Sequence, residues 1–475
     1  MLLQVAGKDA TAEFYSMHRH SVLQKYDATL CIGTIAGEKP QVKNRAPGEL
    51  NTAPFSEPSW LLPGGETNPY YKESHRRLQK AARKFTDEYL RPAAEEIEDS
   101  GAYPSKEFFK TLGANGVTRM RLGPGKHLHG QKMLGDVDGK EFDYFHELVL
   151  TQEMVCTASR SANDAIGGGT VIGLPPVLKF CKNKQLHDKI TSEVFSGEST
   201  IALAISEAFA GSDVSGLRTT AKKSADGSHF IVNGTKKWIT NGQFSTYFTT
   251  AVRTDKGLSV LLIPRALEGV STSQIKTSYS TSAGTAFITF DDVKVPADHI
   301  LGIENKGLPV ILANFNHERW VMTCGAVRSM RVITTECFRW AAQRYVFGKP
   351  LNSLAVIRQK LAHLVSLCEA SQSWLETVTA KMNQFGVGED MAGEIALLKA
   401  YVTKSAETVA DEAVQIFGGR GITKGGMGGS VENYARNVKF DSILGGSIEV
   451  LEDLAVRMAV KETQKQDKVG GKAML

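Results

Sequence analysis

The sequence predicts a multidomain protein with α and β parts: an α-helical block, a β domain of barrel or sandwich type in the middle, and a helical bundle after it. Hydrophobic periodicity is helical up to about residue 199, changes to a period of two between about Ser199 and Ala297, and is helical again from about Lys306. Two Asn-Gly turns, Asn233-Gly234 and Asn241-Gly242, fall inside the period-two region. At 475 residues with 42% hydrophobic content the chain can bury a large core divided among two to four domains.

In chain order, residues 1–35 form a short N-terminal piece. Residues 36–69 hold six of the fifteen prolines and read as an extended linker. Residues 70–200 make the first helical domain, with helical patterns over Tyr71 to Glu98, "FDYFHELVLTQEMV" and "VLKFCKNKQLHDKITSEVF". Residues 201–305 form the β domain, in which "YFTTAVRT", "LSVLLIP" and "TAFITFDDVKVP" are strand-length runs. Residues 306–465 carry four long helical blocks, near 308–345, 354–385, 390–417 and 447–461, broken by "FGKPL" and "FGGRGITKGGMGG"; residues 466–475 are a tail.

The charge balance, 56 Lys and Arg against 51 Asp and Glu, gives +5 without a long basic run, so nucleic acid is not an expected partner. Six cysteines without Cys-x-x-Cys pairs fit reduced thiols, and no metal site is expected. No apolar run is long enough to span a bilayer, and the N-terminus has neither a signal-peptide core nor an Arg-rich transit helix. The expected location is cytoplasmic. The alternatives are mitochondrial or peroxisomal, although Ala473-Met474-Leu475 lacks the basic middle residue of a peroxisomal address.

Four segments carry a resemblance. They are "ISEAFAGSD" (Ile205 to Asp213), "KKWITNG" (Lys236 to Gly242), "QRYVFGKPL" (Gln343 to Leu351) and "QIFGGRG" (Gln415 to Gly421). In this order, from about residue 70 to 462, the chain resembles an acyl-CoA dehydrogenase, a flavoprotein with a helical N-terminal domain, a β middle domain and a C-terminal four-helix bundle. The resemblance implies FAD as cofactor, an acyl-CoA substrate and α,β-dehydrogenation of the thioester. It also implies a homodimer or homotetramer, and electron delivery to an electron-transfer flavoprotein or another acceptor. Leu203, Ser206, Gly211, Ser212, Trp238 and Thr240 are carried over to the flavin side. Arg344, Phe347, Gln415, Gly418 and Gly419 go to the adenine and pyrophosphate side, with Arg344 reaching a neighbouring subunit, and Gly446 and Ser447 also go to the cofactor. The chemistry suits the residue types: a flavin ring takes an aromatic plane and hydroxyl donors, and a pyrophosphate takes an arginine fork.

Within "FNHERWVMTCGAVRSM", Glu318 begins an apolar helix, where an acid can simply complement the helix dipole. The resemblance implies more. The family places its catalytic carboxylate at one of two positions: one matches Leu444 in "ILGGSIEVLEDLAVR", which cannot take a proton, and the other, of isovaleryl and long-chain type, matches Glu318. Glu318 is therefore the expected base and Arg319, with Ser212, a substrate contact. Asn316 stands where several members have an acid against CoA. His317 reads as surface, and His127 and His129 as an exposed loop. Rival readings are a flavin oxidase of the same fold, acyl-CoA or nitroalkane oxidase-like, and a flavin-binding scaffold without turnover. Upstream, "VAGKDATAEFYSMHRHSVLQKY" resembles the C-terminal half of a cytochrome b5 domain with His18 or His20 as an axial ligand; the second ligand motif is missing, so haem is not expected.

Overall fold

The computed structural model describes residues 2–18, 20–33, 36–37, 45–157 and 159–470. Three short helices, Leu2–Val5, Thr11–Met17 and His20–Leu30, open the chain. His18 is exposed just after the second, and the His20 side chain lies outside the described residues.

The first helical part is built around α1 (Glu73–Phe85), α2 (Tyr144–Val155) and α3 (Arg160–Gly167). Asp143 caps α2 by accepting from the Phe145 and His146 amides, and Ser159 caps α3 by accepting from Ala162, so both starts follow the expected polar-cap chemistry. The stretch read as one helix over 177–195 is two, Pro175–Phe180 and Lys184–Ser196. Between them Cys181 is extended and bridges to Leu301, tying the helices to the end of the β domain.

Seven strands form the middle sheet: β1 (Ile201–Ala204), β2 (Thr220–Lys223), β3 (His229–Ile239), β4 (Tyr247–Thr254), β5 (Gly257–Pro264), β6 (Val270–Gln274) and β7 (Ala286–Pro296). Their order is β1-β4-β2-β3-β7-β6, with β5 paired to β4. Val232, Phe248, Ile263, Ile288 and Phe290 close one core inside the curled sheet. The C-terminal part contains α4 (Phe315–Gln343), α5 (Ala355–Phe385), α6 (Ala392–Phe417) and α7 (Ile448–Gly470), with α6 against the other three. The Gly-rich stretch after Phe417 leads into two further helices, Gly429–Asn437 and Lys439–Ile443.

The fold class expected from the sequence is borne out, but the two helical parts are not separate bodies. A single apolar cluster runs through Leu78, Leu148, Trp320, Leu364 and Leu398, drawn from α1, α2, α4, α5 and α6. A second, with Leu174, Val194, Leu262 and Val310, joins the helices to the sheet.

The stretch read as an extended linker is corrected over its described residues. Trp60 is buried and stacks on Tyr71 with ring centroids 4.0 Å apart. Glu57 is buried between Arg83 and Arg328, each at 2.8 Å. Burial alone would raise its pKa, but the two guanidiniums hold it at about 2. Proline content announces irregular backbone; one tryptophan and one carboxylate decide that this backbone is packed. Glu57→Ala would leave Arg328 without its only carboxylate among the described residues, while Arg83 keeps Glu153. The expected cost is about 3 kcal/mol, the scale for breaking a buried pair, read as a lowered urea midpoint at unchanged slope.

Candidate active site

The candidate site has two parts that share the end of α3: the edge after β3, which reaches Gly168 through Thr240, and the start of α4, which lines a cavity with α3. Strand β3 pairs with β7 in register except for shifts between Val232 and Gly234 and between Lys236 and Ile239. At the second irregularity Trp238 adopts φ +60°, costly for a side chain of its size, and turns half-exposed out of the sheet. The Lys237 amide donates to the Ser206 carbonyl at 2.9 Å, while the buried Lys236 Nζ holds Glu207 Oε1 at 2.8 Å and the Ile205 carbonyl at 3.1 Å. These bonds bring Ser206, Trp238 and Thr240 to one edge. Thr240 is buried against α3, where a Cβ on Gly168 would come 2.7 Å from its methyl. Gly211 and Ser212 are exposed, and a Cβ at Gly211 would meet open space. An exposed aromatic face flanked by hydroxyl residues and open backbone fits a planar, polar-edged ring. Leu203 is different: its side chain packs into the core between sheet and helices.

A cavity of about 140 Å³ runs between α2, α3, α4 and the helices of residues 429–443. Glu318 lines it together with Val321, Met322, Gly325 and Leu444. Glu318 is 7% exposed, and among the described residues no hydrogen bond reaches its carboxylate. Burial pushes its pKa up to about 7 against the pull of Arg319, His317 and Lys399. Arg319 Nε donates to the Gly445 carbonyl at 2.9 Å and Lys399 Nζ to the Gly446 carbonyl at 2.8 Å. Two cations thus clamp consecutive carbonyls of a turn whose glycines sit at φ +68° and +111°. Gly446 is favoured by its φ of +111°, and a Cβ there would also crowd the Leu451 side chain at 2.9 Å. Ser447 precedes α7, where its carbonyl accepts from the Leu451 amide.

Two positions are corrected here. The residue directly before Gly446-Ser447 is Gly445, not Leu444, and a Cβ on Gly445 would stand 3.8 Å from Glu318 Oε1. His317, read as surface, is buried and its Nε2 lies 2.9 Å from Glu147. Helix phase explains this: His317 follows the apolar stripe through Trp320 and Cys324 rather than the wet face. His127 is half-buried, with Nε2 at the Arg119 carbonyl, while His129 is exposed. Asn316 donates to the Val387 and Gly388 carbonyls.

Arg344, Phe347, Gln415, Gly418 and Gly419 gather at the other end of α4. Arg344 ends that helix, and Phe347 tips the following hairpin at φ +50°, 94% exposed. Gln415 to Gly419 end α6, which meets the same end of α4 through the stacked Trp340 and Phe417 rings. Elsewhere His75, Asp143 and His146 come together, but these contacts are caps: His75 Nδ1 accepts from the Lys72 amide, and Asp143 Oδ1 meets His75 Nε2 and His146 Nδ1. Sequence reasoning missed Lys399, Arg121 and Gly445. Lys399 had a signal, a lone charge inside "IALLKAYV".

Residues 72–198, 202–293 and 305–459 match, in that order, the N-terminal, middle and C-terminal domains of acyl-CoA dehydrogenase. The chain is 37% identical over 440 residues to acyl-CoA dehydrogenase apdG of Emericella nidulans, covering 90% of this chain and 100% of that protein. It is 29% identical over 400 residues to the mitochondrial isovaleryl-CoA dehydrogenase of Pongo abelii, covering 82% and 89% of the two. The crystal structure of a probable acyl CoA dehydrogenase from Mycobacterium abscessus superimposes with a TM-score of 0.73 at 26% identity, covering 82% of this chain and 99% of that one. The chain belongs to the acyl-CoA dehydrogenase family.

Because the folded pKa of Glu318 lies above its ordinary 4.5, the protonated form is the one the fold favours. That stability is fully present below about 4.5 and is lost as pH rises through about 7, a penalty on the order of 3 kcal/mol. Glu318→Gln escapes it. Its melting temperature is therefore expected to exceed the parent's clearly at pH 8 and by little at pH 5, measured by scanning calorimetry.

Proposed function

We propose that this chain is an FAD-dependent acyl-CoA dehydrogenase whose base is Glu318. The observation that carries the assignment is a carboxylate held out of water, without a hydrogen-bond partner among the described residues, in the wall of an otherwise largely apolar cavity. When bound, FAD supplies the acceptor for the hydride leaving the β carbon. Ser206, Trp238, Thr240, Gly211 and Ser212 would hold its ring side. Glu318 takes the α proton of the thioester on its free carboxylate; desolvation makes it a stronger base than an exposed glutamate. Arg319, fixed to the Gly445 carbonyl beside Glu318, would orient the substrate. Lys399 lies behind that turn and adds positive charge that favours the ionised base.

The adenine-side residues support an assembly of at least two copies. Trp340 and Glu318 are 22 residues apart on one helix, about 33 Å along its axis, so Arg344, Phe347 and Gln415 stand far from the ring side of their own chain. We assign them to the cofactor of a second copy, in a homodimer or homotetramer. Electrons then leave to an electron-transfer flavoprotein or comparable carrier. No helix of the described residues is long and apolar enough to cross a membrane. All six cysteines are free, which supports a reducing compartment such as the cytoplasm.

Single-turnover reduction of the bound flavin by an acyl-CoA tests the base. Glu318→Gln should bind FAD and fold normally yet reduce its flavin at least ~100-fold more slowly; near-parental reduction would show that Glu318 is only a helix-start acid. In the parent the rate should climb with pH to a plateau, with its midpoint near the Glu318 value of about 7. Lys399→Met removes a cation beside that carboxylate, so the midpoint should move upward, whereas Lys399→Arg should leave it in place.

A further inference from the structure

Two buried arginines have no carboxylate at ion-pair distance among the described residues, Arg319 and Arg121; Arg319 is fixed to the Gly445 carbonyl, and Arg121 is the less satisfied of the two. Arg83, Arg160, Arg328 and Arg331 each have a carboxylate oxygen between 2.6 and 2.8 Å away. Arg121 is 7% exposed, and among the described residues no carboxylate lies within ion-pair distance of it. Its Nη1 donates to Thr151 Oγ1 at 2.7 Å, and its Nε has no partner among the described residues. The carboxylate that acts on it, Glu147, does so through space and is engaged by His317 Nε2. Arg121, Thr151 and Gly167 line the same cavity as Glu318. Gly167 makes room for the guanidinium, because a Cβ there would sit 2.9 Å from Nη2.

A guanidinium has five donors and no acceptor. With a plain hydrocarbon chain in this cavity most of them would stay dry and unpaired, which is the arrangement that most strongly rejects a ligand lacking the matching polar atom. We propose that Arg121 is a specificity residue, and that the acyl group this enzyme takes carries an oxygen acceptor, a ketone or a carboxylate, that receives the guanidinium's hydrogen bonds. This rests on the cavity being the acyl site of the dehydrogenase.

The test compares hexanoyl-CoA with 5-oxohexanoyl-CoA and adipoyl-CoA, and octanoyl-CoA with 7-oxooctanoyl-CoA and suberoyl-CoA. Two readouts are used: kcat/KM for flavin reduction in the parent, and equilibrium binding to Glu318→Gln, which reads selectivity without turnover. At least one oxygenated ester should beat its plain partner by ~10-fold or more in both. An oxo preference marks a neutral carbonyl and a dicarboxyl preference an anion, and either supports the assignment. Arg121→Met should bring the ratio close to one, and Gly167→Ala, which crowds the guanidinium without removing it, should lower it. Equal or better use of the plain chains overturns the inference, as does a preference unchanged in Arg121→Met. Should selective binding appear with no flavin reduction by any ester, the dehydrogenase reading fails while the Arg121 subsite stands.

Discussion

The arrangement of this molecule depends on keeping one carboxylate dry. Glu318 is only 7% exposed, and keeping it so requires packed structure on every side. α2 and α3 supply one wall, the rest of α4 another, and the Gly445–Gly446 turn a third. No single domain supplies all of these walls. The site is a by-product of how the domains close on one another, which is why the ion pairs that fix their relative positions, such as Arg160 to Asp441, are buried beside it.

Charges inside the protein fall into two groups. In the first, every ion is matched: Glu57 with Arg83 and Arg328, Lys236 with Glu207. These pairs set geometry, pinning the 51–60 segment to the helices and the loop after β1 to β3. In the second, matching is incomplete. Glu318 has no hydrogen-bond partner among the described residues, Lys399 has a carbonyl rather than a carboxylate, and Arg121 has one hydroxyl. Incomplete matching lowers stability, and these three residues stand at or next to one cavity. Burial pushes Lys399 down to about 8 for the same reason that it pushes Glu318 up.

Much of this was legible in the sequence. The period change at about residue 199 located the sheet, and the order of four short segments pointed to the family. The Asn-Gly turn after Trp238 marked the bend that brings Thr240 to α3. Less legible were features set by distant partners. The proline-rich segment reads as linker until Arg83 and Arg328, far along the chain, meet Glu57. Leu444 and Gly445 are neighbours, and the doubled glycine before Ser447 makes a shift of one position easy; the structure puts a Cβ on Gly445 3.8 Å from Glu318 Oε1. His317 is polar by composition and buried by helix phase. Arg121, in a short irregular stretch, gave no periodic signal at all.

The shared core of the first and last helical parts has a consequence for how the chain is made. Trp60, Leu78 and Leu148 are complete only when Trp320, Leu364 and Leu398 arrive, with the whole sheet synthesised in between. Contacts that far apart in sequence close late, and until they do the early helices carry an apolar face with nothing to cover it. A nascent chain of this protein therefore spends most of its synthesis as an incomplete half-core. The β block between, with its own interior of Phe248, Ile263 and Phe290, can mature first. Until the C-terminal helices arrive, the early helices depend on transient cover of that apolar face rather than on any one native contact.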